Sequence, residues 1–379
     1  MDRIGVMHLT DTLAAGGAER MAVNLVNLLP RCTYRPHLCT TRREGPLAEL
    51  VSDDVRRLSL ARRHRFDAHA LRAMCDYLRE QEIGILHAHG TSLFIAAFAS
   101  LFPPHPAVVW HDHYGRYKFD DRPTWLYRLA AKRLSWVIAV NQPLAEWSRR
   151  RLHVRASHVE YVPNFLCESK LGGIVPELPG TTGSRIVCVA NFRSEKDHLT
   201  LIRALGIVIQ QCPSVHLLLI GAESEVSYVA RVRREVTQRG LADHVSFLGP
   251  RGDVNAILKK CDVGVLSSAS EGLPLALLEY GAACLPAVAT DVGQCGEVLD
   301  GGSCGLLVPA AAPALLGAGL LTLLQSSEQR VALGRKFQQR VQAVYSPAAA
   351  LRRICSVYEA IMPPQFLAAK VEPLCDVDG

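Results

Sequence analysis

The sequence predicts an α/β protein that contains two doubly wound parallel sheets in tandem. Short apolar segments with the length of strands alternate with helical segments along the chain, a pattern typical of βαβ units. The series occurs twice, and the halves are separated by residues 166–184, a glycine- and proline-rich segment that we interpret as a linker. A length of 379 residues also favours two domains over one. Two such sheets in tandem imply a cleft between them.

The first predicted domain covers residues 1–165. Its apolar runs predict strands at 3–9, 36–40, 83–88, 107–111, 136–140 and 158–162. Helical spacing of apolar residues predicts helices at 18–29, 67–81, 91–101, 123–134 and 143–152.

The second predicted domain covers residues 185–345 and repeats this alternation. Strands are expected at 185–190, 215–220, 244–248, 262–266, 286–290 and 305–308, with helices between them. A last helix is expected at about 346–362. The remaining segment, 363–379, has little periodicity, and we assign no role to it.

The segment with the most chemical information is Glu271-Gly-Leu-Pro-Leu-Ala-Leu-Leu-Glu279. Pro274 suits the first turn of a helix, where a missing backbone donor does no harm. The free amides and the positive dipole end of that helix would attract a phosphate near Gly272, Leu273 and Pro274. A carboxylate lies on either side, so a ligand with a phosphate flanked by hydroxyls, such as a sugar nucleotide, would use every feature.

The residues before this segment strengthen the interpretation, because two glutamates eight apart mean little alone. A short strand over 263–266 leads into Ser-Ser-Ala-Ser, which provides loop and cap residues. The segment therefore follows the carboxyl end of a parallel strand, where open α/β sheets bind ligands.

Charge is unevenly distributed between the halves. Residues 1–165 contain 23 Lys+Arg against 16 Asp+Glu, whereas residues 166–379 contain 19 against 20. The basic half indicates an anionic partner or an anionic membrane surface, although a solvated basic face explains it equally well. Nucleic acid is not expected, because no nucleic-acid-binding motif accompanies the basic residues.

Cysteine spacing and hydropathy indicate where the protein works. The twelve cysteines include no CxxC pair, and no apolar run reaches the ~18 residues of a membrane span. No signal peptide precedes the first predicted strand. We therefore expect a cytoplasmic protein, or one that is peripheral on the inner face of the membrane.

Seven short motifs follow one another along nearly the whole chain: Gly16-Gly-Ala-Glu-Arg20, Tyr161-Val-Pro-Asn164, Val189-Ala-Asn-Phe-Arg-Ser-Glu-Lys-Asp-His198, Ile220-Gly221, Phe247-Leu-Gly249, the 271–279 segment and Gly305-Leu-Leu-Val-Pro309. No single motif is decisive. As an ordered set, they resemble the retaining glycosyltransferases of family 4, which have the GT-B architecture. The resemblance implies two Rossmann-like domains that face each other across the cleft, and a last helix that returns onto the first domain.

The resemblance also implies roles for the acidic and basic residues. Glu271 would contact the hydroxyls of the donor sugar, and Glu279 would hold the ribose hydroxyls, since a carboxylate is an acceptor for both donors of a diol. Arg193 and Lys196 resemble the basic pair that binds the diphosphate, where cations favour the transition state. Many relatives have the arginine at the position of Asn191, so the assignment of Arg193 is less secure than that of Lys196.

The glycine pair Gly16-Gly17 lies between the first strand and the first helix. Glycines allow the backbone to approach a ligand closely, and the family uses this loop near the diphosphate and the acceptor. A tight strand-to-helix turn needs glycine as well, so the motif alone does not decide between the two explanations.

Histidines follow two of the predicted strands. The resemblance assigns His111, or else His113, to the donor sugar near the reacting carbon. His87 and His89 end another predicted strand, and we expect them on the acceptor side. Four histidines at strand ends also suit a metal, but no carboxylate or cysteine accompanies them at ligand spacing, and we expect no metal. Asp376-Val-Asp378 has the form of a DxD metal motif in a segment without predicted structure.

These inferences combine into one functional expectation. The chain would be a hexosyltransferase-type enzyme that moves a sugar, with retention, from a nucleotide-sugar donor to a glycan or lipid-linked acceptor in polysaccharide or glycoconjugate synthesis. It would need no cofactor, because the nucleotide sugar is a substrate. The alternatives are a sugar-nucleotide epimerase or phosphorylase of the same fold, and a catalytically silent GT-B partner subunit.

Overall fold

The computed structural model describes residues 3–14, 17–64, 67–114, 123–165 and 177–362. The chain divides into two compact units. The N-terminal unit runs through Asn164 and includes the chain from Pro347 onward, and the C-terminal unit is Phe165–Ser346. Of the segments interpreted from sequence as linker and tail, residues 166–176 and 363–379 lie outside the described residues, as do Gly16 and the Asp376-Val-Asp378 motif.

The N-terminal unit is built on one parallel sheet. Its strands are β1 Ile4–Thr12, β2 Tyr34–Arg43, β3 Arg56–Ser59, β4 Ile83–His89, β5 Ala107–Asp112, β6 Leu134–Ala139 and β7 Val159–Tyr161. Its helices are α1 Gly17–Leu28, α2 Ala68–Glu80, α3 Leu93–Ala99, α4 Thr124–Ala131, α5 Gln142–Arg151 and α13 Pro347–Ile361. The strand order is β3-β2-β1-β4-β5-β6-β7, so the order reverses between β1 and β4, the position where such sheets bind ligands.

The sequence missed strand β3, which forms one edge of this sheet. It pairs in parallel with β2 through His37–Arg56 to Thr40–Ser59. Its residues are Arg-Arg-Leu-Ser, and three of the four are exposed. Charged, short edge strands discourage pairing with other chains, and the same charges remove the apolar pattern by which a strand is recognised.

Helix α13 packs on the N-terminal unit although it is distant from it in sequence. Tyr358 is fully buried, and its ring meets Tyr34 edge-on at 5.6 Å between centroids. Arg353 Nη1 donates to the carbonyl oxygen of Tyr161 at 2.8 Å. These contacts bring a tyrosine hydroxyl from the end of the chain to the centre of the first sheet.

The C-terminal unit is built on a second parallel sheet. Its strands are β8 Arg185–Val189, β9 His216–Ile220, β10 Val245–Gly249, β11 Val263–Leu266, β12 Ala287–Thr290 and β13 Leu306–Val308. Its helices are α6 His198–Ile209, α7 Val226–Gln238, α8 Val254–Leu258, α9 Leu275–Ala282, α10 Cys295–Val298, α11 Pro313–Gln325 and α12 Ser327–Val344. The order β10-β9-β8-β11-β12-β13 again reverses, between β8 and β11.

Both faces of this second sheet are covered by apolar side chains. Along β8, Ile186 and Cys188 belong to one core cluster, whereas Val187 between them belongs to the other. This two-residue alternation places a helical layer on each face, as in doubly wound proteins. The predicted α/β class with two parallel sheets is therefore confirmed.

Within the described part of the chain, every helix is too short or too polar to cross a bilayer.

Candidate functional site

Lys196 and Glu271 form an ion pair in the C-terminal unit. Lys196 Nζ lies 2.6 Å from Oε1 and 2.8 Å from Oε2 of the carboxylate. The Glu271 side chain is only 6% exposed, compared with 24% for Lys196, so the carboxylate is buried behind a more accessible cation. The two residues are 75 positions apart in sequence, and they meet because β8 and β11 are neighbours in the sheet.

A set of hydroxyl groups fixes this pair. Ser268 Oγ donates to Glu271 Oε1 at 2.6 Å, and Ser267 Oγ donates to the carbonyl oxygen of Lys196 at 3.0 Å. Thr290 Oγ1 at the end of β12 donates to the carbonyl oxygen of Ser268 at 2.6 Å. Both carboxylate and lysine are therefore held in one orientation by side chains from strand ends.

Gly293 packs against the backbone that carries Glu271. Its φ of +56° lies in the left-handed region, and an added Cβ would lie 2.1 Å from the Glu271 carbonyl oxygen. The neighbouring amide of Gln294 donates to the carbonyl oxygen of Gly272 at 3.1 Å. Only glycine permits this approach, so the loop after β12 determines the position of the 271–274 loop.

The segment before α9 offers a row of unpaired backbone donors. The helix begins at Leu275, and Pro274 occupies the capping position just before it rather than the first turn. Among the described residues, the amides of Gly272, Leu273, Leu275 and Ala276 have no hydrogen-bond acceptor. Four free amides at a helix N-terminus suit an anion, so this geometry is compatible with the phosphate that the sequence predicts for this segment.

Glu279 lies five residues into α9 and is half-buried. Burial raises the pKa of its carboxyl group to about 7. No hydrogen bond or ion pair to this carboxylate occurs within the described chain. A half-buried carboxyl group without a partner is unfavourable for the unliganded protein, and a ligand with hydroxyl donors would relieve that cost.

The predicted partner of Lys196 is much more exposed. The Arg193 side chain is 53% exposed and makes one weak ion pair with Glu195 at 3.9 Å. Asn191 uses its Oδ1 to accept a hydrogen bond from the amide of Ala222 at 2.9 Å, so this side chain orders a loop. Arg193 therefore keeps its donors accessible, whereas the Asn191 amide group already has a structural role.

Gly17, the described member of the predicted glycine pair, is the first residue of α1. Its φ is outside the left-handed region, and an added Cβ would meet no described atom within 4 Å. Neither a strained turn nor close packing of described residues requires glycine here. No described residue therefore fills the space beside Gly17.

The four histidines noted in the sequence lie together with a fifth in the N-terminal unit. His8 of β1 lies between His87 and His89 of β4, with ring centroids 4.5 Å and 5.3 Å away. His111 is 1% exposed, and its Nε2 has no partner among described residues. Because His111 Nε2 is fully buried, its surface is not accessible to a sugar in this structure.

Several residues that position the site carry no recognisable pattern in the sequence. In the sequence, Ser268 is recognisable only as part of a loop, although Glu271, its hydrogen-bond partner, is close by. No sequence pattern marks Gly293 or His8, because the residues that these two contact are 21 or more positions away. A left-handed glycine cannot be recognised without backbone angles. The buried status of Glu271 likewise depends on packing rather than on its own neighbours.

Comparisons with known proteins agree with this geometry. Residues 15–168 match the family model described as Glycosyltransferase Family 4, and residues 183–326 match the model described as Glycosyl transferases group 1. The match to an Escherichia coli UDP-Gal:alpha-D-GlcNAc-diphosphoundecaprenol alpha-1,3-galactosyltransferase has 24% identity over 312 residues, 76% of this chain and 80% of the relative. A phosphatidyl-myo-inositol mannosyltransferase of Mycobacterium leprae is 28% identical over 233 residues, 59% of each chain.

Solved structures show the same fold. The structure of HepE from Anabaena in complex with UDP superposes with a TM-score of 0.75 at 18% identity, over 95% of this chain and 100% of that one. A glycosyltransferase from Rickettsia africae gives a TM-score of 0.78 at 14% identity, over 98% and 100% of the two chains. The class defined by fold and site is thus that of the GT-B glycosyltransferases.

Together the two family matches include most of both units. The chain belongs to glycosyltransferase family 4, as the resemblance noted in its sequence implied.

Proposed function

We propose that this protein is a retaining, hexosyltransferase-type enzyme that transfers a sugar from a nucleotide-sugar donor to a glycan or lipid-linked acceptor. The observation that carries the proposal is the Lys196–Glu271 ion pair beside four unpaired amides at the start of α9. A cation and free amides suit a diphosphate, and the adjacent carboxylate suits a sugar diol.

In the proposed reaction the protein stabilises charge and positions its substrates. The acceptor oxygen forms a bond to the anomeric carbon while the bond from that carbon to the diphosphate oxygen breaks. The bonding electron pair leaves with the diphosphate, and the acceptor proton moves to a leaving phosphate oxygen on the same face. Lys196, Arg193 and the amides of Gly272 and Leu273 then stabilise the charge that develops on the diphosphate.

The carboxylates would hold hydroxyl groups on either side of the diphosphate. Glu271 accepts from the donor sugar, and Ser268 already fixes one of its oxygens. Glu279 accepts from the ribose of the nucleotide, where its missing partner leaves both oxygens available. Gly16 and Gly17 would allow a close approach of backbone to the donor, and the open space at Gly17 supports this.

The names of similar proteins support a nucleotide-sugar donor and a role in glycan synthesis. HepE structures contain UDP, UDP with glucose, and UDP-glucose. The Escherichia coli relative uses UDP-Gal and a diphosphoundecaprenol-linked sugar by name, and the Mycobacterium leprae relative is named for phosphatidyl-myo-inositol. Polysaccharide or glycolipid synthesis is the process that these names share.

No cofactor is required at the diphosphate in this proposal. Lys196, Arg193 and the four amides provide the positive potential that a magnesium ion provides in other transferases. Contact of His111 or His113 with the donor sugar stays a prediction. The unpaired ring atoms, Nε2 of His111 and Nδ1 of His113, are both buried.

An apolar and basic surface of the N-terminal unit supports a lipid-linked acceptor. Side chains of α3, of the turn after it and of α4 expose large apolar area: Phe98 50%, Leu101 47%, Phe102 41%, Trp125 68% and Leu129 60%. The Arg128 guanidinium donates to the carbonyl oxygen of Arg151 at 2.7 Å, which places the basic end of α5 beside α4. Exposed aromatics flanked by arginines suit an anionic membrane surface on the cytoplasmic side.

The proposal is tested by measuring transfer from UDP-, GDP-, ADP- and TDP-linked sugars to lipid-linked acceptors, after a thermal-shift screen identifies the donor. Glu271→Gln and Lys196→Ala should each reduce transfer by ~10²-fold or more, the typical loss for one transition-state contact. Glu235→Gln is the matched control, because Glu235 forms ion pairs with Arg203 and Arg239 on α6 and after α7. It should retain wild-type transfer.

Four results would contradict the proposal. Unchanged transfer in both site variants refutes the site, and an inverted anomeric configuration by NMR refutes retention. Donor turnover to water, phosphate or an epimer without a glycan product favours the epimerase or phosphorylase alternative. Donor binding without any turnover favours the silent partner subunit.

A further inference from the structure

Five histidines and one tyrosine form a continuous hydrogen-bonded chain in the N-terminal unit. One arm runs from His111 Nδ1 to His87 Nε2 at 3.1 Å, and from His87 Nδ1 to the Tyr358 hydroxyl at 2.5 Å. The Tyr358 hydroxyl also lies 3.3 Å from His8 Nε2, where the second arm begins. Tyr358 of α13 therefore bridges His8 of β1 and His87 of β4, which lie opposite each other in paired strands.

The second arm returns to the neighbourhood of the first. His8 Nδ1 lies 3.0 Å from His89 Nε2, and His89 Nδ1 lies 2.9 Å from His113 Nε2. The His111 and His113 rings stack with centroids 4.1 Å apart. Both arms thus start at one tyrosine oxygen and end at two adjacent imidazoles.

The two ends carry unpaired nitrogen atoms. Neither His111 Nε2 nor His113 Nδ1 has a partner among the described residues, and both atoms are inaccessible to solvent. Asn164 lies near His113, yet its Oδ1 also lacks a partner with hydrogen-bond geometry. Buried polar atoms without partners are rare, and a cluster of them in one place indicates a missing ligand.

The low exposure of these rings favours neutral imidazoles, the form that binds metals: His8, His87, His89 and His111 are each 3% exposed or less. If the protons of His111 and His87 in one arm and of His89 and His8 in the other point toward Tyr358, its oxygen accepts two hydrogen bonds. Lone pairs then remain on His111 Nε2 and His89 Nδ1, and His113 presents a lone pair from Nε2 beside His89 Nδ1 when its proton lies on Nδ1.

We propose that His89, His111 and His113 bind a divalent transition metal ion of the zinc type. One nitrogen from each residue lies within 4.8 Å of the other two. His111 and His89 would donate their remaining N–H groups to His87 and His8, as ligating histidines commonly do to a neighbouring acceptor. Three neutral imidazoles without a carboxylate favour zinc, cobalt or nickel over magnesium or calcium.

This site replaces two expectations from the sequence. The absence of a nearby carboxylate or cysteine had suggested no metal, but three histidines suffice once β4 and β5 place them together. A metal on His111 Nε2 would also occupy the lone pair with which His111 could contact the donor sugar, the role that the resemblance implies for this residue. A second possible trio, His8, His87 and His89, is less suitable, because all six of its ring nitrogens have hydrogen-bond partners, whereas His111 Nε2 and His113 Nδ1 of the proposed trio have none among the described residues.

The test measures metal binding directly, independently of transfer. Metal-free full-length protein is titrated with Co²⁺, whose visible absorption reports its coordination, and with Zn²⁺ in competition. The wild type should bind about one equivalent of each. His113→Ala should lower Co²⁺ affinity by more than ~100-fold, and His8→Gln, which alters only an orienting contact, by about 10-fold.

His37→Gln is the matched control. His37 is also buried in the first sheet, but it bonds the Tyr77 hydroxyl at 2.9 Å and lies outside both trios. This variant should bind Co²⁺ like the wild type. X-ray absorption of the zinc-loaded wild type should show three imidazole ligands, a measurement that does not depend on the folding of any variant.

The proposal is overturned if the wild type binds neither ion, or if His113→Ala binds Co²⁺ as tightly as the wild type. Equal losses in His8→Gln and His113→Ala would place the ion in the other trio and overturn the assignment. Fewer than three imidazoles by X-ray absorption would do the same.

Discussion

The two units bury polar side chains in different electrostatic states. In the C-terminal unit, Glu271 is buried as an ion pair with Lys196, and Glu279 has no partner. In the N-terminal unit, five histidines, of which His8, His87, His89 and His111 are buried, bond one another and Tyr358. A buried charge needs a counter-ion, whereas imidazoles can satisfy each other without charge. The first arrangement suits an anionic ligand with hydroxyls, and the second suits a cation that accepts lone pairs.

Removing the cation of the ion pair should produce the largest effect on stability. Lys196→Ala leaves the Glu271 carboxylate buried without a counter-ion, and we expect a loss of about 3–5 kcal/mol in unfolding free energy. The double variant Lys196→Ala/Glu271→Gln should recover most of that loss. Urea denaturation of the wild type, both single variants and the double variant measures the coupling. Additive losses would show that the pair is not coupled.

Glu279 should make stability depend on pH. Its pKa is raised from the usual 4.5 to about 7, so the folded protein binds a proton in that window that the unfolded chain has lost. Stability from this group is therefore lost as pH rises from 4.5 to 7, and the penalty above pH 7 is about 3 kcal/mol. Glu279→Gln should be more stable than the wild type at pH 8 and similar at pH 4.5. Denaturation at both pH values measures the difference, and a difference that does not grow with pH contradicts the prediction.

The histidine chain should respond to loss of the hydroxyl that joins its arms. Tyr358→Phe removes one oxygen while it keeps the buried ring, so His87 Nδ1 and His8 Nε2 lose a shared partner. We expect a loss of about 1–3 kcal/mol, the usual effect of leaving buried donors unpaired. Tyr34→Phe provides the comparison on the same helix contact. Equal stability of Tyr358→Phe and wild type would show that the chain does not depend on this hydroxyl.

The exposed arginines of the N-terminal unit contrast with its neutral interior. Binding to vesicles with anionic lipid should weaken as salt rises, because exposed charges are screened. Trp125→Ala should reduce vesicle binding several-fold through the loss of one aromatic anchor, about 2 kcal/mol at most. Sedimentation with anionic and neutral vesicles at low and high salt measures both effects. Binding that is indifferent to salt would exclude an electrostatic contribution.

Much of the fold could be predicted from local pattern. Every predicted strand occurs in the structure within a few residues of its expected bounds, since most of them carry a short apolar run between turn residues. The exception was β3, whose Arg-Arg-Leu-Ser sequence has no such run and which forms a strand because β2 offers an edge. Pairing with β2 determines the structure of β3, and this pairing cannot be recognised from the local sequence of β3.

The candidate site was predicted only in part. The 271–279 segment predicted the two carboxylates and a helix that begins close to Pro274, because both features depend on residues that are close in sequence, and anion binding at the start of α9 stays a prediction. The Lys196–Glu271 contact, the support by Ser268 and the constraint at Gly293 depend on strand order and backbone angles. The roles of Arg193 and of the Gly16-Gly17 loop stay predictions.

By itself, the sequence determined the class of fold and the types of residue at the ends of its strands. Periodicity and composition depend on residues that are close in sequence, so they can be recognised without a structure. Only the tertiary structure decided that His8 and Tyr358, 350 positions apart, share one hydrogen-bonded chain with the histidines of β4 and β5. Parallel sheets bring strand ends together through crossovers, and this long-range order places buried polar groups where they meet.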